Sequence, residues 1–276
     1  MKLRSLLFVP GDRAERFAKA AASGADAIIL DLEDSVVAAK KDAARAAIGD
    51  FLDTAPDGVA RWVRVNPLDS DFIADDLAIA ARADGVMLPK SVSGDSVRDL
   101  AARIGGACPP ILPVASETAA AVFGLGGYGE VSGLLGGLTW GAEDLPAAIG
   151  AASAREADGS YTPPYEVVRA LTLFGAHAAA VAAIETVYPD FRDLAGLSRY
   201  AARGARDGFT GMMAIHPAQV AAINAAFTPS QEDVAMARRI VAAFEADPGA
   251  GALQLDGRMI DAPHLKQARA LITRAG

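Results

Sequence analysis

Eight short apolar runs recur along the chain, and each breaks off at its carboxyl end into charged or turn-forming residues. They are Leu6–Pro10, Ala27–Asp34, Arg61–Asn66, Gly85–Lys90, Ile111–Ser116, Leu134–Gly141, Ala183–Tyr188 and Gly211–His216. A strand wetted on one face alternates polar and apolar residues; a near-continuous apolar run is a strand covered on both faces. Helical stretches lie between the runs: Arg13–Ser23, a segment through Lys40, Lys41 and Arg45, Asp69–Arg82, Ser93–Ile104, Tyr165–Ala182 and Leu194–Asp207, with a last helix from Pro217. Crossovers of that length join parallel neighbours. Eight βα units closing on themselves predict an α/β protein of the (β/α)₈ (TIM) barrel type. An open doubly wound sheet would carry a Gly-rich turn after its first strand, and Pro10-Gly11-Asp12-Arg13 is not GxGxxG.

The chain outlasts the barrel. Residues 1–228 are expected to form it, and 229–276 a C-terminal helical extension. The extension reads as a helix at Gln231–Ala246, a turn at Asp247–Gly251, a short extended piece at Leu253–Ile260 and a final helix at His264–Arg274. A tail of this size packs on its own barrel or on a neighbouring subunit.

A net charge of −8 argues against nucleic acid or an anionic membrane as partner. The single cysteine, Cys108, excludes an intrachain disulfide and a thiolate metal cluster, and without a local activator it reads as an inert thiol. The first apolar run stops too early for a signal sequence, and no run approaches the ~20 apolar residues of a membrane span. The expected location is the cytoplasm.

In a barrel of this kind the working residues sit at the carboxyl ends of the strands. Those ends carry Arg13; Asp31, Glu33 and Asp34 on strand two; then Arg64, Asn66, Lys90, Glu117, Glu143, Asp144, Glu185 and His216. The set is rich in carboxylates and holds no Ser–His–Asp arrangement. Acids converging on one rim repel unless a cation sits among them, and oxygen ligands suit a hard ion such as Mg²⁺. Glu117 and Asp144 are the neatest pair for it; the alternative is that both cap the helices that follow. Arg64 lies between Val63 and Val65, so its guanidinium needs a partner. Either it forms a structural ion pair with Glu33 or Asp34, or it clamps an anionic substrate. Lys90 has the same two readings, the structural one favoured. Arg13 and Lys19, beside a glycine-containing loop, are candidates for phosphate contacts.

Taken in order, Arg4–Arg13 (RSLLFVPGDR), Asp31–Val36 (DLEDSV), Val63–Pro67 (VRVNP), Val86–Lys90 (VMLPK), Glu117-Thr118, Trp140–Leu145 (WGAEDL), Ile215-His216-Pro217 and Gly257–Pro263 (GRMIDAP) form a specific series. It resembles the citrate lyase β-subunit-like acyl-CoA lyases of the HpcH/HpaI aldolase superfamily, with malyl-CoA and citramalyl-CoA lyases as relatives. The resemblance implies a (β/α)₈ barrel in homotrimers or hexamers. It also implies Mg²⁺, or Mn²⁺ in its place, held by Glu117 and Asp144, with CoA as part of the substrate.

By the same resemblance Arg64 contacts the 2-oxo acid portion, and Phe8, Arg13 and Lys19 contact the substrate or its CoA. Glu33 and Asp34 orient Arg64 and metal-bound waters, and Asp261 in the tail is the acid–base residue, given to a neighbouring subunit's site. The implied reaction is cleavage or formation of a 3-hydroxyacyl-CoA thioester from acetyl-CoA and a 2-oxo acid. Two alternatives stand beside it: a citrate lyase β subunit acting on a carrier-bound citryl thioester within a complex, and a non-catalytic CoA-binding barrel.

Overall fold

The computed structural model describes residues 2–54 and 58–275. Eight strands occupy the eight apolar runs: β1 Ser5–Pro10, β2 Ala27–Asp31, β3 Ala60–Arg64, β4 Gly85–Leu88, β5 Ile111–Pro113, β6 Leu138–Thr139, β7 Ala183–Glu185 and β8 Gly211–Ala214. All adjacent pairs are parallel, in the order β5-β4-β3-β2-β1-β8-β7-β6. Parallel bridges Ile111–Leu135 and Val114–Thr139 join the two ends of that row, so the sheet is a nearly closed barrel.

Most strands are shorter than the apolar runs. β6 shrinks to Leu138–Thr139 because residues 125–134 coil into a 3₁₀ stretch, followed by Gly136-Gly137. These glycines permit close packing: a Cβ on Gly136 would lie 2.5 Å from the Trp62 ring, and one on Gly137 would lie 3.0 Å from the Ala182 carbonyl oxygen. β2 stops at Asp31 rather than running to Asp34. The Asp31 carboxylate accepts the backbone N–H groups of Glu33 (2.9 Å) and Ser35 (3.2 Å), turning the chain out of the ladder.

Period-two alternation sorts the barrel interior. Leu6, Ala27, Ile29, Trp62, Met87, Leu112, Val114, Ile184 and Met213 form one buried cluster. Trp62 fills its lower part because Gly85 carries no side chain there; a Cβ on Gly85 would lie 2.4 Å from the indole. Continuing the same faces by two residues leads from Leu6 to Phe8, from Ile29 to Asp31 and from Trp62 to Arg64. The apolar stack therefore ends, at the carboxyl mouth, in a ring-and-charge layer.

Behind the wall formed by β6 and β7, fully buried Glu185 accepts Trp140 Nε1–H (2.6 Å), Arg169 Nε–H (2.6 Å) and the Thr186 N–H (2.9 Å). Arg169, on the helix Pro163–Ala178, also reaches Asp207 at 2.8 Å. Glu185→Ala is expected to cost about 3–5 kcal/mol, because a buried guanidinium and an indole N–H lose their acceptor together. Urea unfolding measures this; a loss below about 1 kcal/mol would mean the cluster carries little of the stability.

By contact the chain divides into Met1–Asn224 and Ala225–Gly276. In the second unit the helix Gln231–Ala246 packs against the helix Ala262–Ala275. The stretch expected to be one extended piece is instead a hairpin, β9 Ala252–Leu255 and β10 Arg258–Asp261. Its two-residue turn is Asp256-Gly257, with φ of +51° and +77°, and Asp-Gly is a favoured pair for such turns. Among the described residues no helix is long and apolar enough to cross a membrane.

Candidate active site

A cavity of about 370 Å³ opens at the carboxyl ends of the strands. Phe8, Asp31, Asp34, Arg64, Glu117, Asp144 and Met213 are among the residues that line it. The carboxyl ends of four different strands, with the loops that follow them, thus deliver charge to one mouth.

Asp31 and Arg64 stand side by side as register partners at the ends of β2 and β3. Arg64 Nε and Nη2 donate to the two Asp31 oxygens at 2.6 and 2.7 Å, a bidentate fork. Nη1 lies 2.7 Å from Glu33 Oε2, an ion pair without good hydrogen-bond alignment, since that oxygen has no partner by angle. The Phe8 ring lies under the guanidinium, 4.9 Å from ring centroid to Cζ. The structural partners of Arg64 are therefore Asp31 and Glu33. Asp34, expected as an alternative partner, is exposed, lines the cavity and comes within 3.9 Å of Lys90 Nζ. Burial alone would raise the Asp31 carboxyl, but the Arg64 hydrogen bonds and charge outweigh it and hold Asp31 below its ordinary value. Glu33 is raised, chiefly by burial and further by the Asp34 charge, against the pull of Arg64 and Lys90.

Glu117 is 4% exposed. Its Oε2 accepts the Lys90 backbone N–H, and Gly141 leaves room for the rest: a Cβ there would sit 3.0 Å from Glu117 Cγ and 3.3 Å from Oε1. Neither Glu117 nor Asp144 acts as a cap. Thr118 caps the helix Ala119–Gly124, and Asp144 precedes the helix Leu145–Ile149 without a capping bond. Glu117 is pushed up to about 8, first by burial and then by the charges of Asp144 and Glu33. A buried acid whose neighbours are other acids gains from a cation between them. Among the described residues no cluster of three or more His, Cys, Asp or Glu side chains is arranged around a metal position. Two carboxylates at a wet mouth nevertheless match Mg²⁺, which keeps several waters and takes one or two protein carboxylates.

The Glu117 shift has a sign that can be measured. Between about pH 4.5 and about 8 the folded, metal-free chain binds a proton that the unfolded chain has lost, so stability falls as pH rises through that window. Chelator-treated protein is expected to lose on the order of a few kcal/mol more than Glu117→Gln does over this range. Parallel stability–pH curves for the two proteins would contradict it.

The other expected residues are placed differently. Arg13 and Lys19 are exposed after β1, and Arg13 lies 3.7 Å from Asp12. His216 is exposed, stacks on Phe191 and accepts the Ala218 N–H through Nδ1. Burial pushes the Cys108 thiol up. Asp261 ends β10 in the second unit, where a hydrogen bond with His264 Nδ1 holds its carboxyl below the ordinary value. Asp31 was the partner missed for Arg64. Register makes the pair: Ala27 is set against Ala60, which brings Asp31 opposite Arg64 four positions on.

Comparison with known proteins agrees with this architecture. Residues 4–217 match the family described as HpcH/HpaI aldolase/citrate lyase, and residues 165–276 match one described as C-C bond lyase of the TIM-barrel fold. A citrate lyase subunit beta-like protein of Mycobacterium tuberculosis is 39% identical, over 98% of this chain and 94% of its own. The mitochondrial citramalyl-CoA lyase of Homo sapiens is 33% identical, over 99% and 85%. The crystal structure of protein CitE from Mycobacterium tuberculosis, in complex with magnesium, acetoacetate and coenzyme A, superposes with a TM-score of 0.84 at 38% identity, covering 99% of this chain and 98% of that one. With its eight-stranded barrel and a match over most of its length, the chain belongs to the HpcH/HpaI aldolase/citrate lyase family.

Proposed function

We propose that the protein is a Mg²⁺-dependent carbon–carbon lyase that cleaves or forms a 3-hydroxyacyl-CoA thioester, with acetyl-CoA and a 2-oxo acid as the other side of the reaction. The observation that carries this is the meeting of Glu117, Asp144 and Arg64 on one cavity at the barrel mouth. The magnesium, acetoacetate and coenzyme A held by the similar CitE protein support both the ion and a free CoA ligand.

Glu117 and Asp144 are the residues that would hold the ion. When bound, it supplies Lewis acidity and a template for adjacent substrate oxygens. Arg64 has five N–H donors; Asp31 takes one from Nε and one from Nη2, and Glu33 sits beside Nη1 as an ion pair, so both η nitrogens keep donors for a ligand. These face charge on the oxo-acid oxygens, in a guanidinium already fixed by its fork and by Phe8. Asp261 takes the α-proton of the acetyl thioester in condensation and returns it to that carbon after cleavage. Asp34 orients water at the mouth. Arg13 and Lys19 meet the CoA phosphates outside the cavity.

Residues 229–276 form the extension that brings Asp261 to the mouth of a neighbouring chain in a homotrimer or hexamer. For Asp261→Asn, unchanged Mg²⁺ binding with kcat lower by about 10²-fold or more is expected; a wild-type kcat would return the tail to a structural role. Arg64→Met and Asp261→Asn chains, refolded together, are expected to regain activity that neither shows alone; no recovery would place Asp261 in the site of its own chain.

A further inference from the structure

Lys90 follows β4 and Pro89 with a φ of +52°, a left-handed conformation that residues other than glycine seldom adopt. From this one backbone position it reaches in two directions. Its N–H donates to Glu117 Oε2, and its Nζ lies 2.6 Å from Glu33 Oε1. Glu33, whose side chain is 3% exposed, turns its other oxygen to Arg64 Nη1 at 2.7 Å. The Glu33 backbone is itself pinned, since Lys41 Nζ donates to the Leu32 and Glu33 carbonyl oxygens and to Asn66 Oδ1. Lys41 thus fixes where the Glu33 side chain starts, and Lys90 fixes where it ends.

We propose that Lys90 is a positioning residue: its ammonium neutralises and holds Glu33 so that Glu33 holds Arg64, from a backbone conformation that also gives Glu117 its N–H. The geometry argues for a coupling role over a simple surface pair. A buried carboxylate shared by a guanidinium and an ammonium keeps each oxygen on its own cation. Without Lys90 both oxygens compete for Arg64, and the guanidinium is drawn away from the orientation set by Asp31 and Phe8. The main-chain bond to Glu117 does not depend on the side chain, so the two halves of the site respond separately. This rests on the lyase reading above, in which Arg64 meets the oxo acid and Glu117 meets the ion.

The test is a double-mutant cycle of Lys90→Met and Glu33→Gln, read by calorimetric binding of Mg²⁺ and then of pyruvate as the probe 2-oxo acid. Lys90→Met is expected to bind Mg²⁺ as wild type does and pyruvate about tenfold more weakly. In the Glu33→Gln background, where the Glu33 charge is gone and only the more distant Asp34 remains beside Lys90, the same substitution is expected to change pyruvate affinity little. Wild-type pyruvate affinity in Lys90→Met, or equal losses in both backgrounds, would overturn the proposal. So would a loss confined to Mg²⁺ affinity. If the wild-type protein itself bound no pyruvate in Mg²⁺, the lyase reading would fall instead, which keeps the two failures apart.

Discussion

Asp144→Asn is expected to lower kcat/KM by about 10³-fold or more, roughly 4 kcal/mol of barrier, while the barrel stays folded. The substitution keeps size and shape and removes the charge that a hard cation needs. Asp144 makes no capping bond to the helix it precedes, so little of the fold rests on it. Its neighbour Glu117 is already pushed up to about 8, partly by the Asp144 charge. Loss of that charge relaxes Glu117 toward its ordinary value and leaves one carboxylate where Mg²⁺ requires a better-defined seat. Magnesium titration and an unfolding curve separate the two effects. Full activity of this variant in the presence of a chelator would refute the assignment.

Arg64→Met is expected to fail differently, in stability as well as turnover. The Arg64 side chain is 14% exposed, and its partners Asp31 and Glu33 are 2% and 3% exposed. Removing the guanidinium leaves two buried carboxylates without their main counter-charge, a cost of about 3–5 kcal/mol. Turnover is expected to fall by about 10²-fold or more through loss of the charge facing the oxo-acid oxygens. Arg64→Lys recovers little, because an ammonium cannot make the two-oxygen fork on Asp31. Adding Asp31→Asn to Arg64→Met is expected to restore part of the stability and none of the activity. If Arg64→Met unfolds at the wild-type urea midpoint, the charge layer is not what holds this end of the barrel.

The apolar runs made the barrel legible, since a strand covered on both faces leaves little else for such a run to be. Their ends were less so. Run length reports burial, whereas a ladder ends where a side chain such as Asp31 captures the next N–H groups, or where Gly136 and Gly137 let chains pass close. The site was legible as residue types at strand ends. Its wiring was not, because pairing depends on register: Asp31 meets Arg64 only once Ala27 is set against Ala60. Lys90 was legible as a strand-end charge with a structural pairing favoured, and its partner Glu33 was hidden for the same reason. Nothing in Val-Met-Leu-Pro-Lys announces a left-handed residue whose N–H and ammonium point to two different acids. The hairpin turn at Asp256-Gly257 was written plainly in a favoured pair, hidden only by the short strands on either side.

The most direct measurement uses the purified single chain on malyl-, citramalyl- and citryl-CoA, with a carrier-bound citryl thioester alongside, with and without chelator. Acetyl-CoA (or the acetylated carrier) and 2-oxo acid are quantified together. The account predicts equal release of the two products from a free CoA thioester, abolished by chelation and restored by Mg²⁺. Cleavage that persists without metal, or CoA release with no 2-oxo acid, would contradict it.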